Sequence, residues 1–318
     1  MKNVLVLGGT GFVGRHVCEK LQRQGWTTTV PTRRAVNAAA VQHLPRLTVL
    51  ETDVHDEAAL MRLLPGHDAV VNLVAILHGS ETAFERTHVA LPATLARACA
   101  ATGVRRVVHL SALGVSLDGP SRYQRSKARG EEVLRAAGLD LTILRPSVIF
   151  GAGDRFLNLF AQLQAVFPVV PLAGAQARFQ PVWVEDVASA VSASLADHDL
   201  PMSSIGQTFE CAGPDVFTLA ELVHIAGRLG SHERAVIPLP MALGRMQAML
   251  MELAPGEPLM SRDNLDAMRV DNVASGQWPG LSSLGITPAA VASVAPTYLG
   301  HRGDRSTLLE ARQRFTGR

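Results

Sequence analysis

The chain has 318 residues, with 30 Lys and Arg against 28 Asp and Glu, for a formal net charge of +2. That balance supplies no basic field, and 5% aromatic residues supply no base-stacking platform, so no nucleic-acid partner is expected. With 47% hydrophobic and 18% charged residues a sizeable core is within reach, and wholesale disorder is excluded.

The first half alternates strand and helix. "NVLVL" (3–7) is a continuous apolar strand, as in a parallel sheet covered on both faces. Residues 12–24 read as a helix with Gly25 as its C-cap. "TTTV" (27–30) and "LTVLETD" (47–53) are the next strands, and Asp56 opens a short helix to Leu64. "DAVVNLVA" (68–75) is a strand, 85–102 a helix, "RRVVHLS" (105–111) a strand, 121–137 a helix and "LDLTILRP" (139–146) a strand. This rhythm predicts an α/β fold with a doubly wound parallel sheet over residues 1–146.

After Pro146 the rhythm changes. "PSVIFGAGDRF" is a Gly/Pro-rich loop leading into a helix at 154–167. "ARFQPVWV" (177–184) reads as a strand, "EDVASAVSASLA" as a helix, "QTFECAG" (207–213) as a strand and "TLAELVHIAGRLG" (218–230) as a helix. The rest reads as mainly helical. Residues 147–318 are thus expected to form a smaller, mainly helical substrate or cap region, with elements returning to the core. Cys18, Cys99 and Cys211 form no CxxC pair and read as buried, reduced thiols of a cytoplasmic protein. The apolar run of "MKNVLVLGG" stops in glycines, unlike a signal peptide, and no stretch approaches the roughly 20 apolar residues of a membrane span. No Cys or His cluster has zinc-ligand spacing, so no metal is expected.

"VLVLGGTGFVGRHV" places Gly8, Gly11 and Gly14 at GxxGxxG spacing between a strand and a helix. In that context the glycines allow a tight turn, close approach to a pyrophosphate and close helix packing, with the helix N-terminus facing the anion. Gly8, Gly9, Thr10, Gly11, Phe12, Val13 and Gly14 are therefore candidate dinucleotide contacts of a Rossmann sheet. An NAD site carries an acid near the end of the second strand. Here "TTTVPTRRAV" has none, but offers Arg33 and Arg34 to a 2′-phosphate, which favours NADP(H) over NAD(H). The plain alternative is two arginines that solvate a loop. Asp53 and Val54 are placed toward the adenine, although Asp53 also suits helix capping, and Leu73, Val74 and Ala75 end the next strand.

In "YQRSK", Tyr123 and Lys127 lie four apart and share a helix face. An ammonium beside a phenol favours the phenolate and lowers its pKa. The plain alternative is an exposed Tyr and Lys on an ordinary helix.

"GGTGFVG", "ETDVHD", "YQRSK", "LRPSVIFGAGD" and "FQPVWVEDVASA", in this order, resemble the extended short-chain dehydrogenase/reductase superfamily over about the first 190 residues. "HLSALGV" with "YQRSKARGEEVL" is most similar to its atypical branch. That branch includes the dehydrogenase-like accessory subunit of respiratory complex I, its bacterial relatives and proteins linked to ubiquinone biosynthesis. The resemblance implies that Tyr123 is the acid/base, and that Lys127 activates it and contacts the nicotinamide ribose. It also implies a Ser or Thr after the fifth strand, as the second residue of a pair. Ser111 matches the first position and Ala112 stands at the second, with Ser116 further along the loop as a substitute. The asparagine many members carry on the fourth helix is missing. His88 stands near its place and reads as a helix histidine satisfied by a neighbour. Pro146, Ser147 and Val148 match the segment that lies against the nicotinamide, and Asp154 and Arg155 follow at the substrate mouth, where Asp154 is also good capping chemistry.

"MALGRMQAMLMELAPGEPLM" (241–260) has five methionines, and Leu243, Met246, Leu250 and Leu253 fall on one helical stripe. The stripe reads as core-facing, with a quinone-like tail or a partner protein as the alternative. The arginine-rich end (301–318) suits either anionic lipid or an ordinary solvated helix. Three functions are carried forward: an NADP(H)-dependent oxidoreductase for a small or isoprenoid-like substrate; a non-catalytic nucleotide-binding subunit or assembly factor for complex I or ubiquinone synthesis; and a sugar-nucleotide epimerase or dehydratase. The expected place is cytoplasmic, with a peripheral position at the inner face of the membrane left open.

Overall fold

The computed structural model describes residues 2–197, 203–253 and 258–299. The strands, in chain order, are β1 (Asn3–Leu7), β2 (Thr27–Thr32), β3 (Leu47–Glu51), β4 (Ala69–Asn72), β5 (Arg106–Leu110) and β6 (Asp140–Pro146). After them come β7 (Ile149–Phe150), β8 (Val169–Ala173), β9 (Arg178–Phe179), β10 (Val182–Trp183), β11 (Thr208–Cys211), β12 (Phe217–Thr218) and β13 (Ala235–Leu239). The helices are α1 (Phe12–Arg23), α2 (Glu57–Leu63), α3 (Glu81–Glu85), α4 (Leu91–Thr102), α5 (Arg122–Ala136), α6 (Leu157–Val166), α7 (Val184–Leu195), α8 (Leu219–Leu229), α9 (Met241–Glu252) and α10 (Arg262–Ala267), then the short α11 (Val291–Val294) and α12 (Pro296–Leu299).

Seven parallel strands form the central sheet in the order β11-β6-β5-β4-β1-β2-β3. The winding reverses between β1 and β4, where open α/β sheets offer a crevice at the strand C-termini. Alternate residues of the central strands feed two cores. Val4, Val6, Val71 and Val108 pack against Val17 and Leu21 of α1 and Val187 and Val191 of α7. Leu5, Leu7, Val70 and Val107 face Leu60 of α2, Leu95 and Cys99 of α4 and Leu134 of α5. Beyond the sheet, α6, α8 and β8 build a third cluster around Phe160, Leu172, Leu222 and Val223. All three cysteines are free and buried. Burial pushes the Cys18 and Cys211 thiols up to about 12 and Cys99 up to about 11. No helix among the described residues is long and apolar enough to cross a membrane.

Three expectations need correction. The helix expected over 85–102 starts earlier, at Glu81, and carries a π turn at Arg86–Ala90 between α3 and α4. The region after Pro146 is mainly helical as expected, but the separate ribbon in which β8 and β13 pair in parallel was not. Each strand contains a proline, Pro171 or Pro238, which reads as a loop signal and is tolerated in an edge strand. The stripe on α9 does not face the core: Met246, Leu250 and Leu253 are 57%, 63% and 74% exposed. The buried side is the small one, Gly244 and Ala248, and a Cβ at Gly244 would collide with that of Ala173 on β8. Close approach to a strand selected the small residues and turned the large ones outward. Part of the methionine-rich stretch (254–257) and the arginine-rich end lie outside the described residues.

Candidate functional site

The loop after β1 sits at the reversal of strand order. Gly8 has φ +81°, the left-handed region that glycine enters without strain, and a Cβ there would press on the Leu73–Val74 backbone at 3.2 Å. Gly14 lies so close to the turn that a Cβ would collide with the Gly8 carbonyl. Gly11 is the N-cap of α1 and has no side chain to cap it, and the first turn carries no acid. Its amide hydrogens therefore face the crevice without a competing carboxylate, which suits phosphate. Thr10, Phe12 and Val13 are partly exposed around this turn, whereas Gly9 is buried. Leu73 N–H bonds the Leu7 carbonyl at 3.0 Å, and Val74 N–H bonds Asn72 Oδ1 at 3.2 Å, so the end of β4 with Ala75 forms the opposite wall.

At the end of β2, Arg33 and Arg34 are exposed and, with Asn37, line a cleft of about 320 Å³. Asn37 was not singled out in the sequence, although it lies four residues after Arg33. The same corner holds Asp53, which accepts from His55 N–H at 3.0 Å and lies 3.6 Å from Arg86, with Val54 between them partly packed on the core. Asp53 is not a helix cap; Asp56 takes that role on α2. Burial lowers the His55 pKa against the opposing charge of Asp53, and Arg86 and Arg33 add to the lowering. One acid was missed: Glu51, at the end of β3, accepts from Ala35 N–H at 3.1 Å and holds the arginine loop.

The other end of the crevice is buried. Lys127 is 2% exposed and its ammonium donates to the Leu110 carbonyl at 2.7 Å, immediately before Ser111. This is not an exposed surface lysine. Ser111 Oγ is buried and has no hydrogen-bond partner among the described residues. Tyr123 stacks edge-on with His88 and Phe84, at ring distances of 5.5 Å and 6.3 Å. Burial pushes the Tyr123 phenol up to about 12 and the Lys127 ammonium down to about 8. The direction at Tyr123 is opposite to that expected from a neighbouring ammonium, because desolvation dominates in the chain itself.

His88 sits in the π turn, a distortion common at functional positions. Its Nε2 accepts from Ile76 N–H at 3.2 Å, which leaves the proton on Nδ1 to donate to Ser126 Oγ at 2.9 Å. Ser126 in turn donates to the Tyr123 carbonyl at 2.9 Å. His88 is thus a satisfied, neutral histidine, and burial together with Lys127 pushes its pKa down to about 3. Behind it, Asn72 Nδ2 donates to His109 Nδ1 at 3.2 Å, while His109 Nε2 is buried without a partner among the described residues. Asn72 and His109 were legible as polar residues inside apolar strands and were passed over.

Three positions differ from what the resemblance implies. Ser116 is exposed and accepts from Asp118 N–H at 3.3 Å in a local turn, so it does not replace the hydroxyl missing at Ala112. The backbone of 146–148 is already engaged: the Pro146 carbonyl accepts from Leu113 N–H, Ser147 N–H donates to the Cys211 carbonyl, and Val148 N–H donates to Asn272 Oδ1. Asp154 is buried and saturated. It accepts from the amides of Gly151, Phe156 and Asn158 and from the Tyr298 hydroxyl at 3.0 Å, so capping is its role, next to Arg155.

A reversing parallel sheet with a glycine turn under the crevice defines a nucleotide-binding α/β protein. The comparisons agree with that class. Residues 4–206 match the NAD dependent epimerase/dehydratase family, and the chain belongs to it. It is 33% identical over 290 residues to the mouse (Mus musculus) protein named NADH dehydrogenase (ubiquinone) 1 alpha subcomplex subunit 9, mitochondrial, covering 89% of this chain and 76% of that one. A protein of Caulobacter vibrioides named ceramide reductase is 29% identical over 239 residues, covering 74% of this chain and 73% of that one. A dTDP-glucose 4,6-dehydratase from Streptomyces venezuelae, solved with NAD and TYD bound, superposes with a TM-score of 0.73 at 23% identity, covering 96% and 98% of the two chains. At that identity the likeness is one of fold.

Proposed function

We propose that this protein binds NADP(H) across the crevice and reduces a carbonyl on a small or isoprenoid-like substrate, with Tyr123 as the acid. The observation that carries this reading is the burial of Lys127 against the Leu110 carbonyl, one helical turn from Tyr123. Holding an ammonium out of water costs free energy, and such costs cluster at sites of chemistry. The glycine turn, the open first turn of α1, the Arg33/Arg34/Asn37 cleft and the unpartnered Ser111 hydroxyl fit a dinucleotide lying from β2 to β5. Two guanidinium groups beside an amide favour a 2′-phosphate over a bare ribose.

When bound, the dinucleotide supplies the hydride. Tyr123 gives its hydroxyl proton to the substrate oxygen as the carbonyl carbon gains a C–H bond, so the carbonyl becomes an alcohol. Burial, which pushes the phenol up to about 12, keeps it protonated at neutral pH but makes it a weaker acid. The Lys127 ammonium offsets that cost by favouring the phenolate left on Tyr123 as the proton departs. The ceramide reductase relative supports a reductive reading in which the substrate has an apolar portion.

The test is a pair of measurements: melting shifts with NADPH and NADH, then hydride transfer to carbonyl and quinone substrates. A larger shift with NADPH and turnover that fails in Tyr123→Phe are expected. An equal or larger NADH shift sinks the NADP(H) assignment, and turnover unchanged in Tyr123→Phe sinks the mechanism.

Ala112 at the hydroxyl position, together with the mouse relative's name, favours a second reading: a non-catalytic nucleotide-binding subunit of a respiratory or quinone-synthesis assembly at the inner membrane face. There the nucleotide stabilises the folded state without turnover, and the outward stripe of α9 gives apolar surface for contact. A melting shift with NADPH but no turnover on any of those substrates is its signature. Sugar-nucleotide epimerisation or dehydration is disfavoured by the same Ala112.

A further inference from the structure

The first turn of α5, which carries Tyr123, has its amide hydrogens taken by its own N-cap and by one distant part of the chain. Ser121 Oγ, at the N-cap, accepts from Gln124 N–H at 3.1 Å. The amides of Arg122 and Tyr123 donate instead to Asp263, at 2.7 Å to Oδ1 and 3.1 Å to Oδ2. Asp263 lies on α10, 140 residues beyond Tyr123, and is 6% exposed. Two oxygens on two successive N–H groups fix the carboxylate against the helix end, where its charge also meets the positive end of the helix dipole. Arg122 Nε adds a contact at 3.5 Å.

The helix that holds Asp263 is itself held. Leu265 is fully buried with Ala173 and Ala248. Arg245 of α9 bonds Asp266 at 2.5 Å, and Glu252 of α9 accepts from the backbone and the Nε of Arg262, both at 2.8 Å. Ser261 caps α10 by accepting from Asn264 N–H at 3.2 Å.

We infer that Asp263 is a positioning residue for Tyr123: its carboxylate sets the height and rotation of the first turn of α5, and so the aim of the tyrosine ring. The α9–α10 unit thereby reaches the buried end of the crevice through one side chain. The effect on turnover rests on the reading of Tyr123 as the acid; the effect on the ring does not.

The chain has two tyrosines, Tyr123 and Tyr298. In full-length protein labelled with ¹³Cζ-tyrosine, two NMR signals result, assigned with Tyr298→Phe. Asp263→Ala is expected to move the Tyr123 signal and leave Tyr298 in place. Asp263→Asn, which keeps one carbonyl acceptor, is expected to give a smaller shift in the same direction. For any substrate turned over, kcat falls about 100-fold in Asp263→Ala and less in Asp263→Asn. The KM for NADPH stays within about twofold, because the glycine turn is untouched. If Asp263→Ala does not fold, Ser261→Ala loosens α10 without touching α5 and is expected to move the Tyr123 signal alone. A Tyr123 signal unmoved in folded Asp263→Asn and Ser261→Ala overturns the inference, as does an equal movement of both tyrosines, which marks a global change. A Tyr123-selective shift in a protein without turnover sinks the oxidoreductase reading and leaves Asp263 as a positioning residue. An unmoved signal in a protein whose turnover depends on Tyr123 does the reverse.

Discussion

The two ends of the crevice are built on opposite principles. At the β2 end, Arg33, Arg34 and Asn37 line an exposed cleft. At the β5 end, Lys127, His88, His109 and Ser111 are buried, and Tyr123 packs among their neighbours. Exposed charge contributes to ligand affinity, is screened by salt and matters little to folding. Buried polar groups are tied to stability, because each must be kept neutral, paired or held at a cost. Affinity can therefore be changed at one end without touching the fold, whereas chemistry cannot be changed at the other without also changing stability.

The largest expected effect is at the buried end. Tyr123→Phe should lower turnover by about 10²–10⁴-fold, the range for a positioned acid. The NADPH melting shift should stay unchanged, since the glycine turn and arginine cleft are intact. If the nucleotide shift disappears with the hydroxyl, the separation of the two ends is false.

Next comes acid stability. His88, pushed down to about 3, and His109, pushed well below its usual value by burial, are neutral in the fold. Their folded values lie below the unfolded value of about 6.5, so the unfolded chain binds more protons as pH falls. Their contribution is complete above about pH 6.5 and is lost as pH drops through the folded values, at no more than about 1.4 kcal/mol per pH unit for each histidine. Lys127 acts in a higher window: its folded value of about 8 lies below the 10.5 of a free lysine, so its contribution is complete above 10.5 and lost as pH falls to 8. Urea unfolding across pH should show both slopes. Arg34→Ala, whose charge is not among those acting on His55, should leave the acid slope unchanged, and a changed slope would join the ends that the comparison separates.

Smaller effects belong to the exposed end. Arg33→Ala or Arg34→Ala should weaken NADPH binding by about 10–100-fold, the loss of one charge-assisted contact, and leave NADH unaffected. The loss should shrink as salt rises. Titration of both nucleotides at two ionic strengths checks this, and equal losses for NADPH and NADH would remove the 2′-phosphate from the account.

The two ends also differ in how far they could be read ahead of the structure. The strands at the sheet centre were legible because parallel strands buried on both faces need unbroken apolar runs, as in "NVLVL" and "RVVHL". The glycine turn was legible because its requirement is local: Gly8 and Gly14 meet each other across a few residues. α5 and its shared Tyr123/Lys127 face followed from spacing alone. The clamp of Asp263 on that helix was not legible, since it joins residues 140 apart. Nor was the direction of α9, whose periodic stripe predicts a buried face; contact with Ala173 selected Gly244 and Ala248 instead. The hydroxyl reads in the sequence as shifted or missing, with Ala112 at its place and Ser111 as a catalytic candidate, and only the fold shows that Ser111 is buried and unsatisfied.

Ser111 is where the comparison is sharpened by the smallest change. A buried hydroxyl without a partner costs the fold part of its desolvation free energy, on the order of 1–3 kcal/mol for a fully unsatisfied group. Ser111→Ala removes one oxygen and leaves a cavity smaller than a methyl group. The nucleotide-free protein should therefore be unchanged or more stable, by up to about 1 kcal/mol. If Ser111 serves the reacting oxygen in place of the residue missing at Ala112, the same substitution should cost about 10²-fold in turnover, as for one oxyanion donor. Thermal melts of the nucleotide-free protein and turnover of the same preparation decide it together. A gain in stability with a loss of turnover marks a group kept for chemistry at the expense of folding. A loss of stability with turnover unchanged would make Ser111 structural, and would leave Tyr123 and Lys127 as the whole of the buried end's chemistry.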